Sequence, residues 1–249
     1  MSKIVIANWK MNVRHAKAVT YAAALRKQAV RGVDLVVAPS LTVLPSVAEK
    51  LRGSRVKVAA QDVAAWSEGA YTGEVSARML KDAGATYTII GHSERRQLLG
   101  ETDAMVHDKV AQALKAKLRP ILCVGETDEE RKAGKRDTVL VQQLRNALSK
   151  VPDLHDSRLV VAYEPVWAIG SGQAVQPDDL AQAYKVIKRA VTSLTTSAYW
   201  AAKVRFVYGG SVDAENAALF AAQEYVDGFL VGGASLQVKK FLAIAKQCV

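Results

Sequence analysis

The sequence predicts an α/β fold, a closed (β/α)8 barrel formed as a single domain by residues 1–249, and two observations carry that expectation. Short apolar runs bounded by polar or glycine-rich turns recur along the chain: Ile4–Ala7, Asp34–Ala38, Val56–Ala60, Tyr87–Ile90, Pro120–Val124, Leu159–Tyr163, Val204–Tyr208 and Gly228–Val231. Short apolar runs of this kind suit strands buried on both faces, as in a parallel sheet. Between them lie segments with helical spacing, so strand and helix alternate and the strands run parallel with helical crossovers. Eight such units in 249 residues match the closed barrel better than an open doubly wound sheet. No linker, low-complexity tract, composition shift or internal repeat divides the chain. Active sites of such barrels lie at the carboxyl ends of the strands, so the residues just past each run are the ones to read.

Strand one ends in Asn8-Trp9-Lys10. Side chains two apart on a strand point the same way, so Asn8 and Lys10 face the mouth together as an amide and a cation for an anionic ligand, or Lys10 is an ordinary surface lysine. The second run closes in the plain turn Ala38-Pro39-Ser40, and the third in Gln61-Asp62, polar and without an assigned role. Gly69-Ala-Tyr-Thr-Gly-Glu74 follows, a glycine-bounded loop with an aromatic tip that either docks on a partner subunit or is a simple turn. Strand four ends in Gly91-His-Ser-Glu-Arg-Arg96. Ser93 is expected as a helix N-cap, which sets His92 at a helix N-terminus where the dipole disfavours the imidazolium and leaves a neutral ring able to donate to a substrate oxygen. Glu94 either orients Lys10 or caps that helix. Thr102-Asp103 is the start signal of a helix with Val106, Val110, Ala113 and Leu114 on one face. Strand five delivers Cys123-Val-Gly-Glu126, where Cys123 reads as a small buried hydrophobe, since no cation or partnered histidine is at hand to make it a nucleophile.

Strand six brings a carboxylate and a loop together in Leu159-Val-Val-Ala-Tyr-Glu-Pro-Val-Trp-Ala-Ile-Gly-Ser-Gly172. Pro165 biases Glu164 toward an extended backbone, which sets the carboxylate at the strand's carboxyl end. Val166, Trp167, Ala168 and Ile169 form an apolar loop, and closure over a ligand would give those side chains a place while excluding water from the site. The alternative is a core tryptophan in a packed turn beside an exposed glutamate. Pro177-Asp178-Asp179 then opens a helix whose apolar face is Leu180, Ala183, Tyr184, Ile187 and Val191. Strands seven and eight end in Tyr208-Gly-Gly-Ser-Val212 and Gly228-Phe-Leu-Val-Gly-Gly-Ala-Ser235. Glycines at two adjacent strand ends let backbone N–H groups approach an anion, at the address where barrels of this class hold phosphate. No Gly-x-x-x-x-Gly-Lys-Ser/Thr segment is present, which argues against a nucleoside triphosphate site.

Composition narrows the function classes. Half of the residues are hydrophobic, but the longest apolar runs are strand-sized and fall well short of a membrane span. Met-Ser-Lys leads directly into the first run with no signal-peptide architecture, so a cytoplasmic location is expected. Cys123 and Cys248 have neither metal-ligand spacing nor a disulfide framework and read as free thiols. The formal net charge of +10 is carried by basic residues scattered along helical stretches, not by a block interleaved with aromatics, so nucleic acid is not the expected partner. What remains is a positive field that draws in small anions.

Taken together, Ala7-Asn-Trp-Lys-Met-Asn12, Gly91-His-Ser-Glu-Arg-Arg96, Ala162-Tyr-Glu-Pro-Val-Trp-Ala-Ile-Gly170, Tyr208-Gly-Gly-Ser-Val212 and Gly232-Gly233 closely resemble the signature segments of the triosephosphate isomerase family, in order and over the full length. The resemblance implies a TIM barrel acting on a small phosphorylated triose without metal or organic cofactor. It assigns Glu164 as catalytic base, His92 as electrophile, and Asn8 with Lys10 as a substrate-binding pair. Backbone amides at Gly170, Ser211, Gly232 and Gly233 fall on its phosphate cradle, Tyr208 on a residue that latches the closed lid, and Glu94 on a supporting acid. The loop Gly69–Glu74 looks like the one that inserts into the neighbouring subunit of a homodimer, with Thr72 reaching toward that partner's site. Tyr71 stands where phenylalanine is usual, Asp62 where asparagine is, Ser171 where threonine is and Gln173 where lysine is common. Two competing readings are a sugar-phosphate epimerase, which would want a metal site or a second opposed acid, and a barrel turned binding module, against which an intact Lys10, His92 and Glu164 argue.

Overall fold

Each strand of the fold is apolar on both sides because each side meets a different core. In a computed structural model the chain is described over residues 2–28, 30–151, 154, 159–169, 175–194 and 197–249, without the side chains of 198 and 199. The strands are β1 (Lys3–Asn8), β2 (Val33–Ala38), β3 (Lys57–Ala60), β4 (Tyr87–Ile90), β5 (Arg119–Val124), β6 (Val160–Tyr163), β7 (Arg205–Tyr208) and β8 (Gly228–Val231), within a residue of the expected runs at every end. They pair in parallel, in chain order, and β8 closes on β1 with Ile4 opposite Gly228 through Ala7 opposite Val231.

Helices α1 (His15–Gln28) and α2 (Leu44–Leu51) follow the first two strands, and α3 (Ala77–Asp82), α4 (Ser93–Leu98) and α5 (Asp103–Lys115) the next two. The circuit is completed by α6 (Asp128–Lys132), α7 (Arg136–Leu148), α8 (Pro177–Ser193), α9 (Ala198–Ala201), α10 (Ala217–Ala221) and α11 (Val238–Lys246). As the sequence predicts, the Thr102 side chain caps α5 by accepting the Met105 N–H, and Pro177 opens α8. The face Leu180, Ala183, Tyr184, Ile187 and Val191 is buried.

Side chains alternate along each strand. Ile4, Ile6, Val36, Ala38, Ala59, Tyr87, Ile89, Ile121, Cys123, Val160, Ala162, Val207 and Leu230 fill the barrel lumen as one cluster, while Val5, Ala7, Val37, Ile90, Leu122, Val161 and Phe229 turn outward into the layer shared with the helices. Each fully buried isoleucine or leucine is worth about 1.5–3 kcal/mol relative to exposure. Cys123 is the small buried hydrophobe that the sequence suggests, and burial pushes its thiol well above the ordinary range.

The seam between β8 and β1 leaves no room for a side chain at Gly228. A Cβ at Gly228, whose φ is +148°, would lie 1.7 Å from the Ile4 carbonyl oxygen. The Gly228→Ala variant is therefore expected to lose at least about 3 kcal/mol of stability or to fail to close its barrel, as read by urea denaturation.

Candidate active site

The alternation that fills the lumen also decides what reaches the mouth. Continuing the lumen-facing series of β1 past Ile4 and Ile6 gives Asn8, that of β6 past Val160 and Ala162 gives Glu164, that of β7 past Val207 gives Gly209, and that of β8 past Leu230 gives Gly232. These four lie at carboxyl strand ends and line one cavity of about 380 Å³ with Lys10, His92, Ile169, Ser211 and Gly233. Asn8, Lys10, His92, Glu164, Ser211, Gly232 and Gly233, singled out from the sequence, are thus brought together. Gly170 and the segment Ser171-Gly-Gln173 lie outside the described residues.

Glu164 is buried, with its N–H bonded to the Val124 carbonyl at 2.8 Å and its carboxylate turned into the mouth. One oxygen accepts the Ser93 N–H at 3.0 Å and the other lies 3.1 Å from His92 Nε2. Room for this carboxylate comes from Gly209, where a Cβ would sit 2.8 Å from Glu164 Cγ.

His92, and not Ser93, is the N-cap of α4. Its Nδ1 accepts the Glu94 N–H at 3.2 Å, and so does what a capping hydroxyl would otherwise do. The consequence is chemical. A ring nitrogen that accepts an N–H carries no proton, so the imidazole is neutral with its hydrogen on Nε2, aimed into the cavity.

Lys10 is held by three groups. Its backbone has φ +50°, a left-handed conformation that costs a non-glycine residue about 1 kcal/mol or more. The Asn8 side chain accepts its N–H at 3.0 Å, and the Gln61 amide donates to its carbonyl at 2.9 Å and to the Ala38 carbonyl at 2.8 Å. At the other end Nζ meets Glu94 Oε1 at 2.6 Å and lies beside Gly232. Of the two roles open to Glu94, orienting Lys10 is the one its carboxylate takes. Gln61, without an assigned role in the sequence, pins the strained backbone.

Other supporting residues were not singled out beforehand. Ser235 is fully buried and donates to the carbonyls of Gly232 at 2.6 Å and Asn8 at 3.3 Å, tying the ends of β8 and β1 together. Glu126 accepts the Trp167 indole N–H at 2.9 Å and the Tyr163 hydroxyl at 3.1 Å, while the Arg131 guanidinium lies 3.9 Å over the Trp167 ring. Trp167 is neither a core residue nor a free surface one; it is clamped half-buried at the start of the apolar loop. Burial raises the Glu126 carboxyl above its ordinary value, and the bonds from Trp167 and Tyr163 oppose the rise. Ser211 donates to the Ala168 carbonyl at 2.9 Å, and the Val175 N–H points to the Tyr208 hydroxyl at 3.4 Å, so both edges of the loop touch the end of β7.

A model of the triosephosphate isomerase family matches residues 3–248 of the chain. The chain belongs to the triosephosphate isomerase family. It is 48% identical to the triosephosphate isomerase of Symbiobacterium thermophilum, with 97% of this chain and 94% of that one aligned. It is 43% identical to the enzyme of Thermus thermophilus over 99% of both chains. The crystal structure of triosephosphate isomerase from Bartonella henselae superposes with a TM-score of 0.90 at 35% identity, covering 99% of each chain.

Asp62, without an assigned role in the sequence, belongs to a cluster of charges behind the mouth. Its carboxylate meets Lys109 Nζ at 2.7 Å and Arg95 at 2.8 Å, and Glu101 meets the same two cations at 2.5 and 3.2 Å. Lys109 and Glu101 are buried, so two acids balance two bases behind α4. Burial raises the Asp62 carboxyl above 3.8 and the Lys109 charge only partly offsets it. A raised carboxyl binds its proton better folded than unfolded, so this contribution to stability is complete below pH 3.8 and is lost as pH climbs through the raised value. Thermal melts across mildly acid pH should show that component in the wild type and lack it in Asp62→Asn.

Proposed function

We propose that Glu164, His92 and Lys10 carry out a proton-transfer isomerisation of a phosphorylated triose, with Asn8 and the backbone amides of Gly170, Ser211, Gly232 and Gly233 holding the substrate. The reaction is the interconversion of D-glyceraldehyde 3-phosphate and dihydroxyacetone phosphate, a step of glycolysis and gluconeogenesis. The observation that carries the assignment of roles is the meeting of a buried carboxylate with a neutral Nε2–H donor and an ammonium in one small cavity.

The chemistry follows from those positions. Glu164 occupies two N–H donors, those of His92 and Ser93, and a substrate oxygen that takes the His92 donor displaces the carboxylate and frees it to reach a C–H proton. Removal of the proton beside the carbonyl leaves an enediolate, whose oxygen charge is met by the Nε2–H and the Lys10 ammonium. Return of the proton to the neighbouring carbon completes the reaction. Glycine-rich ends of β7 and β8 supply the phosphate cradle, and the loop held by Trp167, Ser211 and Tyr208 closes on it, so that binding of the remote phosphate serves the step at carbon. Metal-independent turnover of D-glyceraldehyde 3-phosphate is expected with chelator present. Glu164→Gln should lower kcat by about 10²–10⁴ with folding intact; a folded, inactive wild type would overturn the assignment.

The same reading makes the chain one half of a homodimer. Tyr71 at the tip of the Gly69–Glu74 loop stacks on Trp66 at 4.0 Å, and both stay about two-fifths exposed. Met11, Leu98 and Leu99, from the neighbouring strand ends, are 96%, 76% and 65% exposed, an apolar group fit for burial between subunits. Light scattering should give twice 26.9 kDa for the wild type and a smaller mass for a Trp66→Asp, Tyr71→Asp variant. A cytoplasmic location is part of the proposal, supported by two cysteines that are buried and unpaired. Among the described residues no helix is long and apolar enough to cross a membrane.

A further inference from the structure

The net charge of +10 is not consumed by the catalytic mouth, where Lys10 is matched by Glu94, nor by the Asp62 cluster, where two acids face two bases. Three of its cations share one groove. On α8, Lys185, Lys188, Arg189 and Thr192 follow one another at helical spacings of three, one and three, which puts them on one stripe about a turn apart. All four are exposed. With Ser193 and Tyr225 they line a groove of about 580 Å³, a volume typical of small-molecule sites.

Three features separate this groove from a solvated helix face. First, no acid is interleaved. The acids of α8, Asp178 and Asp179, lie in its first turn, and among the described residues none of the three cations makes an ion pair. Like charges three and four apart destabilise a helix, so the stripe carries a repulsion that a bound anion relieves. Secondly, the last turn of α8 contains no basic residue, so these cations are not arranged as a cap on the negative end of the helix. Thirdly, the groove has an ordered wall. Tyr225 adopts φ +70°, strained for a bulky residue, and in that conformation its ring lies 4.1 Å beneath the Lys188 ammonium. Glu224, next to Tyr225 in the chain, is engaged with the Tyr225 hydroxyl.

We propose that this groove is a second anion site, distinct from the catalytic one, for a compact ligand bearing two or more phosphate groups. Lys185 lies one turn before the neighbouring pair Lys188 and Arg189, a spacing that suits adjacent phosphates. The covered face of Tyr225 leaves no platform for a stacked base, which disfavours single-stranded nucleic acid. The helix crosses from β6 to β7, whereas the exposed Met11, Trp66, Tyr71, Leu98 and Leu99 follow β1, β3 and β4, so the groove stays open in a dimer formed through those residues.

The test is titration of the full-length protein with inorganic triphosphate by calorimetry. A Lys185→Ala, Lys188→Ala, Arg189→Ala variant, a control Lys239→Ala, Lys240→Ala, Lys246→Ala variant and the wild type are compared in parallel. Expected are a loss of at least tenfold in affinity in the first variant, near wild-type affinity in the control, unchanged isomerase activity in both, and no fall in melting temperature in the first variant. Unchanged affinity in the first variant would assign binding to the catalytic phosphate cradle and sink the proposal. Equal losses in both variants would reduce it to a general effect of net charge, and tighter binding of a long DNA duplex than of triphosphate would replace it with a nucleic-acid surface.

Discussion

Everything at the mouth of this barrel depends on the two-residue period of its strands. Closing eight parallel strands commits one face of each to the lumen, and that face must be apolar and small enough to fill it. Once Ile4 and Ile6, Val160 and Ala162, Val207 and Leu230 are fixed inside, the next residues in the same series have no freedom about where they point. Asn8, Glu164, Gly209 and Gly232 are the result, and a one-residue slip in any strand would turn its contribution into the helix layer. The proposed base therefore owes its position to hydrophobic packing below it, and the glycine facing it, Gly209, is the volume the carboxylate takes.

Above the lumen the controlling interactions change from packing to hydrogen bonding. Lys10 leaves the strand in a left-handed conformation that only a surrounding structure can maintain, and Asn8, Gln61 and Glu94 supply it from three strand ends. His92 is fixed in one tautomer by a bond to the backbone two residues on. Both groups proposed to stabilise oxygen charge are thus oriented before substrate arrives, which is the condition under which such groups lower a barrier instead of merely binding.

The strands, their order of chemistry and the residues at their ends were legible because each is a local matter: apolar runs, turn residues, a proline after a glutamate. The capping of α4 was misread for a local reason too. Serine is the usual cap, but the bend after β4 gives the imidazole of His92 the reach to take that place, and nothing in the letters distinguishes the two. What stayed hidden joins residues far apart in the chain. Gln61 and Lys10 are 51 residues apart, Glu126 and Trp167 41, and Ser235 and Asn8 227. Such pairs exist only once the barrel is closed, and their side chains are ordinary polar residues that spacing alone does not mark.

Charge was legible as a sum and not as a distribution. A buried charge left without a partner costs several kcal/mol; Lys109 and Glu101, both buried, meet one another, and the half-buried Arg95 and Lys10 meet Asp62 and Glu94. Pairing in the interior consumes acids and bases equally. An excess of ten positive charges is therefore driven outward to the helix faces, where no packing rule requires neutrality. There its arrangement is free to vary, and a stripe with no interleaved acid beside a strained aromatic is an arrangement that packing and helix formation leave unexplained. In a barrel whose interior is this constrained, the outer faces are where a chain can differ from its relatives without disturbing the chemistry at the mouth.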